Sequence, residues 1–525
     1  MPLIKGDTMQ GFSEKVFLKI EPPTEDFAAG DQQRIKAALA EQGYAPVDMP
    51  LGVLRKLYPL CRDCGYEITV SLVSRETGWT MVDVEAGDRS GSHYGLAVDY
   101  GSTKVVMQLV DMTSGEVIAE DRETNGQVIY GTDILTRITY TMEAPEHFAD
   151  IQRATAETFN RLLTRLSEKT GVDVSACPAM IISGNTTMIH FLLKLDAWTV
   201  FASPYAPVTS APGWFFGSEL GMDFHGMVYI IPAASNYVGG DIVSGLLKLD
   251  IHKNEEPSMF FDIGTNGELV VGCKHWMMAG AGAAGPALEG YISKYGMRAD
   301  DGAIEHVKIR GGELEYSTIG GKAPVGICGS GIIDLIAQMR LNGWINIAGA
   351  LEESASDRVR FIEEAGELTA VYAEADESAI GKPLYFSQTD IHQYIDTKAA
   401  AYIMVECLLE TAGCSEKDLA HCYLSGAFAA HSDLESAITI GIFPDLPREK
   451  FSLINNTSLE GARILLLDRS RRSELEQLAE SIYCVQFASI PDFIVRMQAA
   501  KFIPHTDMDR YPSIKEKLEK GEMKP

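Results

Sequence analysis

The sequence predicts an α/β protein in which a duplicated, two-lobed fold follows a small α+β domain. Its 525 residues leave room for about three to four domains. From Tyr94 onward, apolar strands broken by glycine turns alternate with amphipathic helices. One strand–turn–strand pattern occurs twice, around Asp99 and again around Asp262. We therefore expect a small α+β domain, a first lobe, a second lobe and a charged tail over residues 1–90, 91–257, 258–505 and 506–525.

The first ninety residues have the pattern of a separate α+β domain. VFLKIEP (Val16–Pro22) predicts a strand that ends at two prolines, and Asp31–Gln42 carries apolar residues at helical spacing before Gly43. Two further strands are expected, at ITVSLV (Ile68–Val73) and in the segment WTMVDVEAGD that follows it. The acidic segment Glu85–Ser92 is the expected linker to the first lobe.

Composition argues against several classes of partner. The formal net charge is -28, from 45 basic and 73 acidic residues, and such a chain repels phosphate backbones and anionic lipid surfaces. No stretch reaches the roughly 18 to 20 apolar residues of a membrane helix, so neither nucleic acid nor a membrane is an expected partner. The nine cysteines are odd in number and mostly scattered, which is typical of reduced thiols. Since the start of the sequence does not have the pattern of a secretory signal either, we expect a cytoplasmic protein.

The first copy of the repeated pattern has the residues of a phosphate-binding turn. In GLAVDYGSTKVVMQLV, an apolar strand reaches Asp99, and a tight turn precedes the next strand. A glycine at such a turn lets successive backbone N–H groups and a hydroxyl converge on one phosphate, and Lys104 adds a positive charge. The candidate ATP-binding residues of this turn are Gly101, Ser102, Thr103 and Lys104.

The second copy, SMFFDIGTNGELVVGC, repeats the strand, the aspartate and the glycine turn. Asp262 takes the place of Asp99, and we expect both carboxylates to hold the water shell of a Mg²⁺ ion that bridges phosphate oxygens. Glu268 is the candidate general base for an attacking water, which completes the catalytic set Asp99, Asp262 and Glu268. Either turn taken alone also fits an ordinary hairpin. The candidate ATP-binding residues here are Gly264, Thr265, Asn266 and Gly267.

Glycine-rich segments at predicted strand-to-helix junctions extend the candidate site. Ala279–Gly290, Val325–Asp334 and Tyr423–Asp433 each place small residues where a helix N-terminus can meet an anion or a flat ring. Close helix packing explains such residues equally well. The sequence has no G-x-x-x-x-G-K-[ST] P-loop, and we do not identify the Rossmann signature of a strand-coupled G-x-G-x-x-G with a downstream acid, so P-loop ATPases and Rossmann dehydrogenases are not supported. The candidate nucleotide-binding residues are Gly326, Gly329, Ser330, Gly331, Gly426, Ala427 and Phe428.

These motifs resemble a known superfamily. The paired DYGST and DIGTNGE turns, followed by LSGAF, resemble the superfamily of acetate and sugar kinases, heat-shock chaperone ATPases and actin (ASKHA). More specifically, NGQVIYGTDILTRI, ISGNTTMIHFLLKLD, PAASNYVGGDI, AGPALEG and PVGICGSGIID resemble the reductive activators of corrinoid-dependent proteins. The resemblance covers most of the chain and keeps the motif order. It implies a duplicated actin-like ATPase fold with ATP and Mg²⁺ in the cleft between the lobes.

The resemblance also implies an activity and partners. Members of that family use ATP to drive reduction of an inactive Co(II) corrinoid to the Co(I) state needed for methyl transfer. The first ninety residues resemble the family's middle domain, which contributes to dimerisation. We therefore expect a homodimeric ATPase whose partner is a corrinoid protein or a corrinoid methyltransferase subunit. Two alternatives remain: a redox-inactive, nucleotide-dependent sensor or chaperone for a corrinoid protein, and a small-molecule kinase.

The sequence departs from the family at the point where electrons would enter. Family activators commonly carry an N-terminal iron–sulfur domain with four clustered cysteines, whereas no such cluster precedes Val16. We therefore expect no iron–sulfur cluster and a separate electron donor such as a ferredoxin. Cys61 and Cys64 form a C-x-x-C pair that we interpret as ordinary thiols, with a cluster shared across a dimer as the alternative. The first phosphate turn also reads GSTK where the family typically has GTTT.

Overall fold

The structure, a computed structural model, describes residues 10–264, 267–282, 292–426, 432–487 and 490–520. Contacts divide the chain into two compact units. Unit 1 contains the residues up to Leu249 together with Thr457–Ser481, and unit 2 contains Asp250–Asn456 together with the residues from Ile482 onward. The second lobe, expected as one continuous segment over 258–505, is therefore interrupted by a return of the chain to unit 1. No helix within the described ranges combines the length and the apolar character that crossing a membrane requires.

The N-terminal part of unit 1 is a small α+β domain, as predicted. Its elements are β1 Ser13–Lys19, α1 Asp31–Glu41, β2 Val47–Asp48, α2 Leu51–Asp63, β3 Glu67–Arg75 and β4 Gly78–Ala86. The sheet order is β1–β3–β4–β2, with β3 antiparallel to both of its neighbours and β2 parallel to β4. Ile68 and Val70 of β3 pack with Ile35 and Leu39 of α1 in the core of this domain.

The rest of unit 1 up to Leu249 is a six-stranded sheet with helices. Its elements are β5 Tyr94–Tyr100, β6 Lys104–Asp111, β7 Val117–Thr124, α3 Ile134–Glu143, α4 His147–Thr170, β8 Ala179–Gly184, α5 Thr186–Leu192, α6 Trp198–Phe201, β9 Gly213–Phe216, β10 Met227–Ile230 and α7 Gly240–Leu249. The strand order is β7–β6–β5–β8–β10–β9. Strands β5, β6 and β7 form an antiparallel meander, while β5, β8 and β10 run parallel.

Unit 2 has a second six-stranded sheet and two three-stranded sheets. Its elements up to Asn456 are β11 Ser258–Ile263, β12 Gly267–Cys273, β13 Trp276–Gly282, β14 Ala303–Arg310, β15 Glu313–Thr318, β16 Gly326–Ile327, α8 Gly329–Leu341, β17 Val359–Ile362, β18 Glu367–Ala373, β19 Leu384–Ser387, α9 Gln388–Thr411, β20 His421–Ser425, α10 Leu434–Ile440 and β21 Phe451–Leu453. The segment that returns to unit 1 forms α11 Thr457–Leu467 and α12 Arg471–Ser481. The remaining elements of unit 2 are β22 Ile482–Cys484, α13 Phe493–Ala499 and α14 Pro512–Lys520.

The two large sheets contain the same order of five strands. In unit 1 this order is β7–β6–β5–β8–β10, and in unit 2 it is β13–β12–β11–β20–β21. In both, a meander of three antiparallel strands is extended by two further strands that run parallel to the first strand of the meander. The sixth strand differs, since β9 borders β10 whereas β22 borders β13. The duplicated fold predicted from the paired turns is therefore confirmed.

Helix α11 packs closely against α7 inside unit 1. The contact is closest at Gly461, where an added Cβ would overlap the backbone oxygen of Ser244. Helix α7 follows β10 in the first sheet, and α11 follows β21, which has the equivalent place in the second sheet. The helix that follows β21 in the chain thus belongs to unit 1.

The C-terminal residues are bonded to unit 2. The buried Lys398 of α9 donates hydrogen bonds from Nζ to the carbonyl oxygens of Ala500 and Phe502 at 3.0 and 2.9 Å, and also to that of Pro504. Further along, Ile514 of α14 is fully buried in the core of unit 2. Within the predicted charged tail, residues 512–520 therefore form a helix that packs on unit 2 through Ile514.

We expect Gly461→Ala to destabilise the protein by about 1–3 kcal/mol, because overpacking forces the two helix backbones apart. Gly52→Ala is the matched control, since Gly52 is also helical but an added Cβ there would meet no atom within 4 Å. At that exposed position the substitution should leave stability unchanged or slightly raise it. Urea unfolding followed by circular dichroism measures both variants, and equal stabilities would contradict the close crossing.

Candidate functional site

In unit 1 the candidate residues lie where the parallel strands end. Strands β5, β8 and β10 run in one direction, so their carboxyl ends share one edge of the sheet, which is where open α/β sheets bind ligands. The register pairs Asp99 with Ser183 and Tyr100 with Gly184. Because Val98 and Tyr100 belong to the apolar core, strand alternation directs Asp99 to the opposite face of the sheet.

The turn between β5 and β6 is held by a residue outside the predicted set, Asn125. This side chain is fully buried; its Nδ2 donates to the carbonyl oxygen of Gly101 at 3.0 Å, and its backbone N–H donates to that of Thr103 at 2.9 Å. An added Cβ at Gly101 would lie 2.6 Å from the carbonyl oxygen of Lys104, so this turn needs a glycine. Ser102 and Thr103 are half-buried, and the Lys104 side chain is exposed.

A buried polar network anchors the residue that follows Asp99. Gln127 Nε2 donates to the hydroxyl groups of Tyr100 and Thr155 at 2.7 and 2.6 Å. The fully buried Arg137 donates in turn from Nη1 to Gln127 Oε1 at 3.2 Å. Burial lowers the pKa of the Arg137 guanidinium. Polar side chains from α3 and α4 thus fix the end of β5 from the core side.

In unit 2 the predicted catalytic residues Asp262 and Glu268 lie in one row of register neighbours that crosses four strands. The register places Ser425 of β20, Asp262 of β11, Glu268 of β12 and Ala281 of β13 side by side. Residues paired in this way project from the same face of a sheet. Asp262 is half-buried and Glu268 is 9% exposed. The structure therefore brings the two acids together as direct cross-strand neighbours.

This acid pair fits a divalent cation. Two like charges directly opposite each other destabilise a sheet, and a cation with its bound waters neutralises them. Carboxylate oxygens are ligands that Mg²⁺ accepts, directly or through water. In unit 1 the residue opposite Asp99 is Val106, so the acid pair has no counterpart at that position of the first turn. Among the described residues, Asp262 and Glu268 therefore form a carboxylate pair that suits the predicted metal.

Gly426, one of the candidate nucleotide-binding residues, packs directly on Asp262. Its φ is +90°, a left-handed conformation that favours glycine. An added Cβ would lie 2.7 Å from Asp262 Oδ1 and would overlap the carbonyl oxygen of Ile263. Strand β20 can therefore approach the end of β11 this closely only with glycine at 426.

The structure extends the sequence repeat beyond the two turns. In both units the strand next to the aspartate-bearing strand ends in Ser-Gly: Ser183–Gly184 beside Asp99, and Ser425–Gly426 beside Asp262. Gly184 also packs on the residue after the aspartate, since an added Cβ would lie 2.9 Å from the carbonyl oxygen of Tyr100. Sequence reasoning missed this second repeat, although ISG and LSG both follow apolar strands. Asn125 was missed as well; its signal is an Asn-Gly pair at the end of β7.

Several predicted residues lie away from the row that contains Asp262 and Glu268, or outside the described ranges. Gly264 ends a described range and Gly267 begins β12, whereas Thr265, Asn266, Ala427 and Phe428 lie outside the described residues. Gly326 begins β16, and Gly329, Ser330 and Gly331 form the first turn of α8. An added Cβ would overlap the carbonyl oxygen of Tyr295 at Gly326 and that of Ile304 at Gly331. Close packing accounts for these two glycines, and the nucleotide-binding role of the segment stays a prediction.

The cysteines form no disulfide bonds within the described ranges. All nine lie in the described ranges, and six of them are buried. Burial raises the pKa of the Cys61 thiol to about 11, while Cys64 follows the last residue of α2 and is half-buried. Since the thiolate is the form that binds metals, this environment favours the interpretation of the C-x-x-C pair as ordinary thiols.

Comparison with known proteins matches consecutive parts of the chain to one family. Residues 8–91 match the RACo linker region, 94–254 match the RACo middle region, and 256–515 match the C-terminal domain of RACo, which is its ASKHA domain. A curated relative, the corrinoid activation enzyme RamQ of Eubacterium limosum, is 30% identical over 470 residues, which cover 85% of this chain and 78% of RamQ. This chain belongs to the RACo family.

Two further relatives agree with this assignment. The [Co(II) methylated amine-specific corrinoid protein] reductase of Methanosarcina barkeri is 25% identical over 424 residues, covering 74% of this chain and 73% of the reductase. A solved structure of a reductive activator for a corrinoid, iron-sulfur protein is similar with a TM-score of 0.86 and 34% identity, over 98% of this chain and 82% of that one. The resemblance to corrinoid reductive activators and the ASKHA fold are thereby confirmed.

The family match corrects one expectation about the RACo domains. The first ninety residues were expected to resemble the middle domain, but residues 8–91 match the linker region and the middle region is 94–254. The small domain has its own sheet and core, so its sequence has the pattern of a separate domain. The middle region of the family is instead the part of the chain that carries the first aspartate-led turn. The homodimer, which was inferred from the earlier assignment, stays a prediction.

We expect Gly426→Ala to cost about 1–3 kcal/mol more than Gly413→Ala. Both glycines have positive φ, but an added Cβ at Gly413 would meet no atom within 4 Å. The difference between the variants therefore isolates the contact with Asp262 and Ile263. Urea unfolding measures it, and equal losses in the two variants would mean that β20 tolerates a side chain at 426.

Proposed function

We propose that this chain is a Mg-ATP-dependent activator of a corrinoid protein. It couples hydrolysis of ATP to ADP and phosphate with the one-electron reduction of a Co(II) corrinoid to Co(I). The corrinoid is carried by a partner, either a corrinoid protein or a corrinoid methyltransferase subunit, and the electron comes from a separate donor such as a ferredoxin. Membership of the RACo family, whose named relatives activate or reduce corrinoid proteins, supports the substrate class.

One observation carries the ATPase part of the proposal. Each unit places an aspartate near the carboxyl end of the central strand of the same five-strand order, directly before a glycine turn. A ligand that needs two sets of phosphate contacts and a divalent cation, such as Mg-ATP, matches this duplicated arrangement. The acid pair Asp262 and Glu268 adds the negative charge that a magnesium ion would neutralise.

The chain's own residues then have distinct roles. Asp99 and Asp262 would hold the water shell of Mg²⁺, and the bound ion would supply positive charge to the phosphate oxygens. The Gly101–Thr103 turn, kept in shape by Asn125, would direct backbone N–H groups to a phosphate. Exposed Lys104 would place its ammonium on a phosphate, and Glu268 would accept a proton from the attacking water.

The proposed reduction needs electrons from another protein. Reduction of Co(II) to Co(I) takes one electron and leaves the bonds of this chain unchanged, so ATP hydrolysis acts through a change in affinity for the partner. The thiols of the chain are free, and burial raises the pKa of Cys61, Cys177 and Cys422. Protonated, dispersed thiols are poor cluster ligands, which supports an external donor.

We expect Asp99→Asn and Asp262→Asn each to lower kcat for ATP hydrolysis by about 10²-fold or more, because each removes a charge from the metal side of the site. Asp376→Asn, at an exposed position of unit 2, is the matched control and should retain full activity. Unfolding temperatures show whether each variant is folded. Undiminished turnover in both folded site variants would remove these carboxylates from the mechanism.

Reduction itself is tested anaerobically with a purified Co(II) corrinoid protein. Appearance of the Co(I) spectrum should require both Mg-ATP and an electron donor, either reduced ferredoxin or Ti(III) citrate. Binding to the corrinoid protein without reduction by either donor would favour the sensor or chaperone alternative. Formation of ADP that depends on a small acceptor would favour a kinase.

A further inference from the structure

Asp99 is hydrogen-bonded to a residue from a distant part of the chain. The hydroxyl of Ser458 donates to Asp99 Oδ1 at 2.8 Å, and Ser458 is 5% exposed. Ser458 lies in the first turn of α11, as the second residue of the segment that returns to unit 1. An element encoded after most of unit 2 therefore contacts the aspartate of the first turn.

Ser458 is part of a buried chain of hydroxyl groups. Its Oγ lies 2.9 Å from Ser183 Oγ, which in turn lies 2.8 Å from Ser244 Oγ and 3.1 Å from the carbonyl oxygen of Gly240. Ser183 and Ser244 are fully buried. Since Ser183 is also the register neighbour of Asp99, the chain joins the ends of β5 and β8 to the first turns of α7 and α11.

The proton count sets the direction of this chain. A serine hydroxyl has one proton, and an ionised carboxylate only accepts. When Ser458 gives its proton to Asp99, its oxygen is available to accept one from Ser183. A hydrogen bond from a buried hydroxyl to one carboxylate oxygen restricts rotation of the carboxylate and so fixes the direction of its other oxygen.

The close contact of α11 with α7 fixes the position of Ser458. Gly461 lies three residues later, on the same face of α11, where it packs on the backbone of Ser244. This packing therefore holds the backbone of Ser458 at a position from which its hydroxyl reaches Asp99.

From this geometry we infer that Ser458 is a positioning residue for Asp99. It orients the carboxylate that the proposed function assigns to the water shell of Mg²⁺. That orientation therefore depends on the packing of α11 against α7. The inference rests on the proposed function. Groups that orient the ligands of a metal site without touching the metal typically change its affinity about 10- to 100-fold when removed.

The test is calorimetric binding of ADP, once with Mg²⁺ and once with EDTA. Ser458→Ala should weaken Mg-ADP binding about tenfold and leave binding in EDTA unchanged, because the hydroxyl acts on the metal-side carboxylate. Ser473→Ala, an exposed serine on the neighbouring helix α12, is the matched control and should bind as wild type does. If Ser458→Ala does not fold, Ser458→Cys keeps the side-chain size with a weaker donor and is measured in the same way.

A double-mutant cycle separates positioning from a general structural effect. In an Asp99→Asn background, Ser458→Ala should cause no further loss of Mg-dependent affinity, whereas a structural role predicts the same loss in both backgrounds. If wild type binds ADP more tightly with Mg²⁺ than without it, and Ser458→Ala binds Mg-ADP with the same affinity as wild type, this inference alone is overturned. Wild type that binds ADP equally well with and without Mg²⁺ would overturn both the inference and the proposed function.

Discussion

The site depends on the two-residue alternation of the central strands. On β5, Val98 and Tyr100 are buried in the apolar core, so the side chain between them must project from the other face. Helix α11 packs on that face, and a carboxylate there needs polar neighbours or a cation to compensate for lost hydration. Hydroxyl groups meet this need for Asp99. The position of the aspartate, the serines beside it and the glycine turn all follow from this one constraint.

The two repeats satisfy the constraint differently. Asp262 has an acid, Glu268, directly opposite, whereas Asp99 faces Val106 and is bonded by the hydroxyl of Ser458. The second repeat therefore has two neighbouring carboxylates, whereas the first has one carboxylate that accepts a hydrogen bond from a serine hydroxyl. In the proposed reaction both aspartates hold the water shell of the cation, and water activation belongs to the second turn through Glu268. The first turn, with Lys104, contributes positive charge and a fixed backbone.

The sequence predicts those parts of the site that depend on local pattern. An apolar strand, an aspartate and a glycine turn are contiguous, so both copies of the turn follow from the residues alone. Glu268 was predicted as a general base, whereas its position directly opposite Asp262 comes from the strand register. Contacts between distant segments leave no comparable pattern: Asn125 looks like an ordinary turn residue, and Ser458 like a serine at the start of a helix. The return of 457–481 to unit 1 was likewise unpredictable, because it depends on which helix α11 packs against.

That return makes unit 1 dependent on the C-terminal part of the chain. Without α11, the face of β5 and β8 that carries Asp99 and Ser183 would be uncovered, and Asp99 would lose the hydroxyl of Ser458. A chain that ended before Thr457 would keep all five strands of the first repeat but not this helix. The first turn is therefore complete only after the second repeat has been synthesised, although its own residues lie near the beginning of the chain. Because such long-range contacts cost loop entropy before they are gained, the two repeats cannot be treated as independently folding halves.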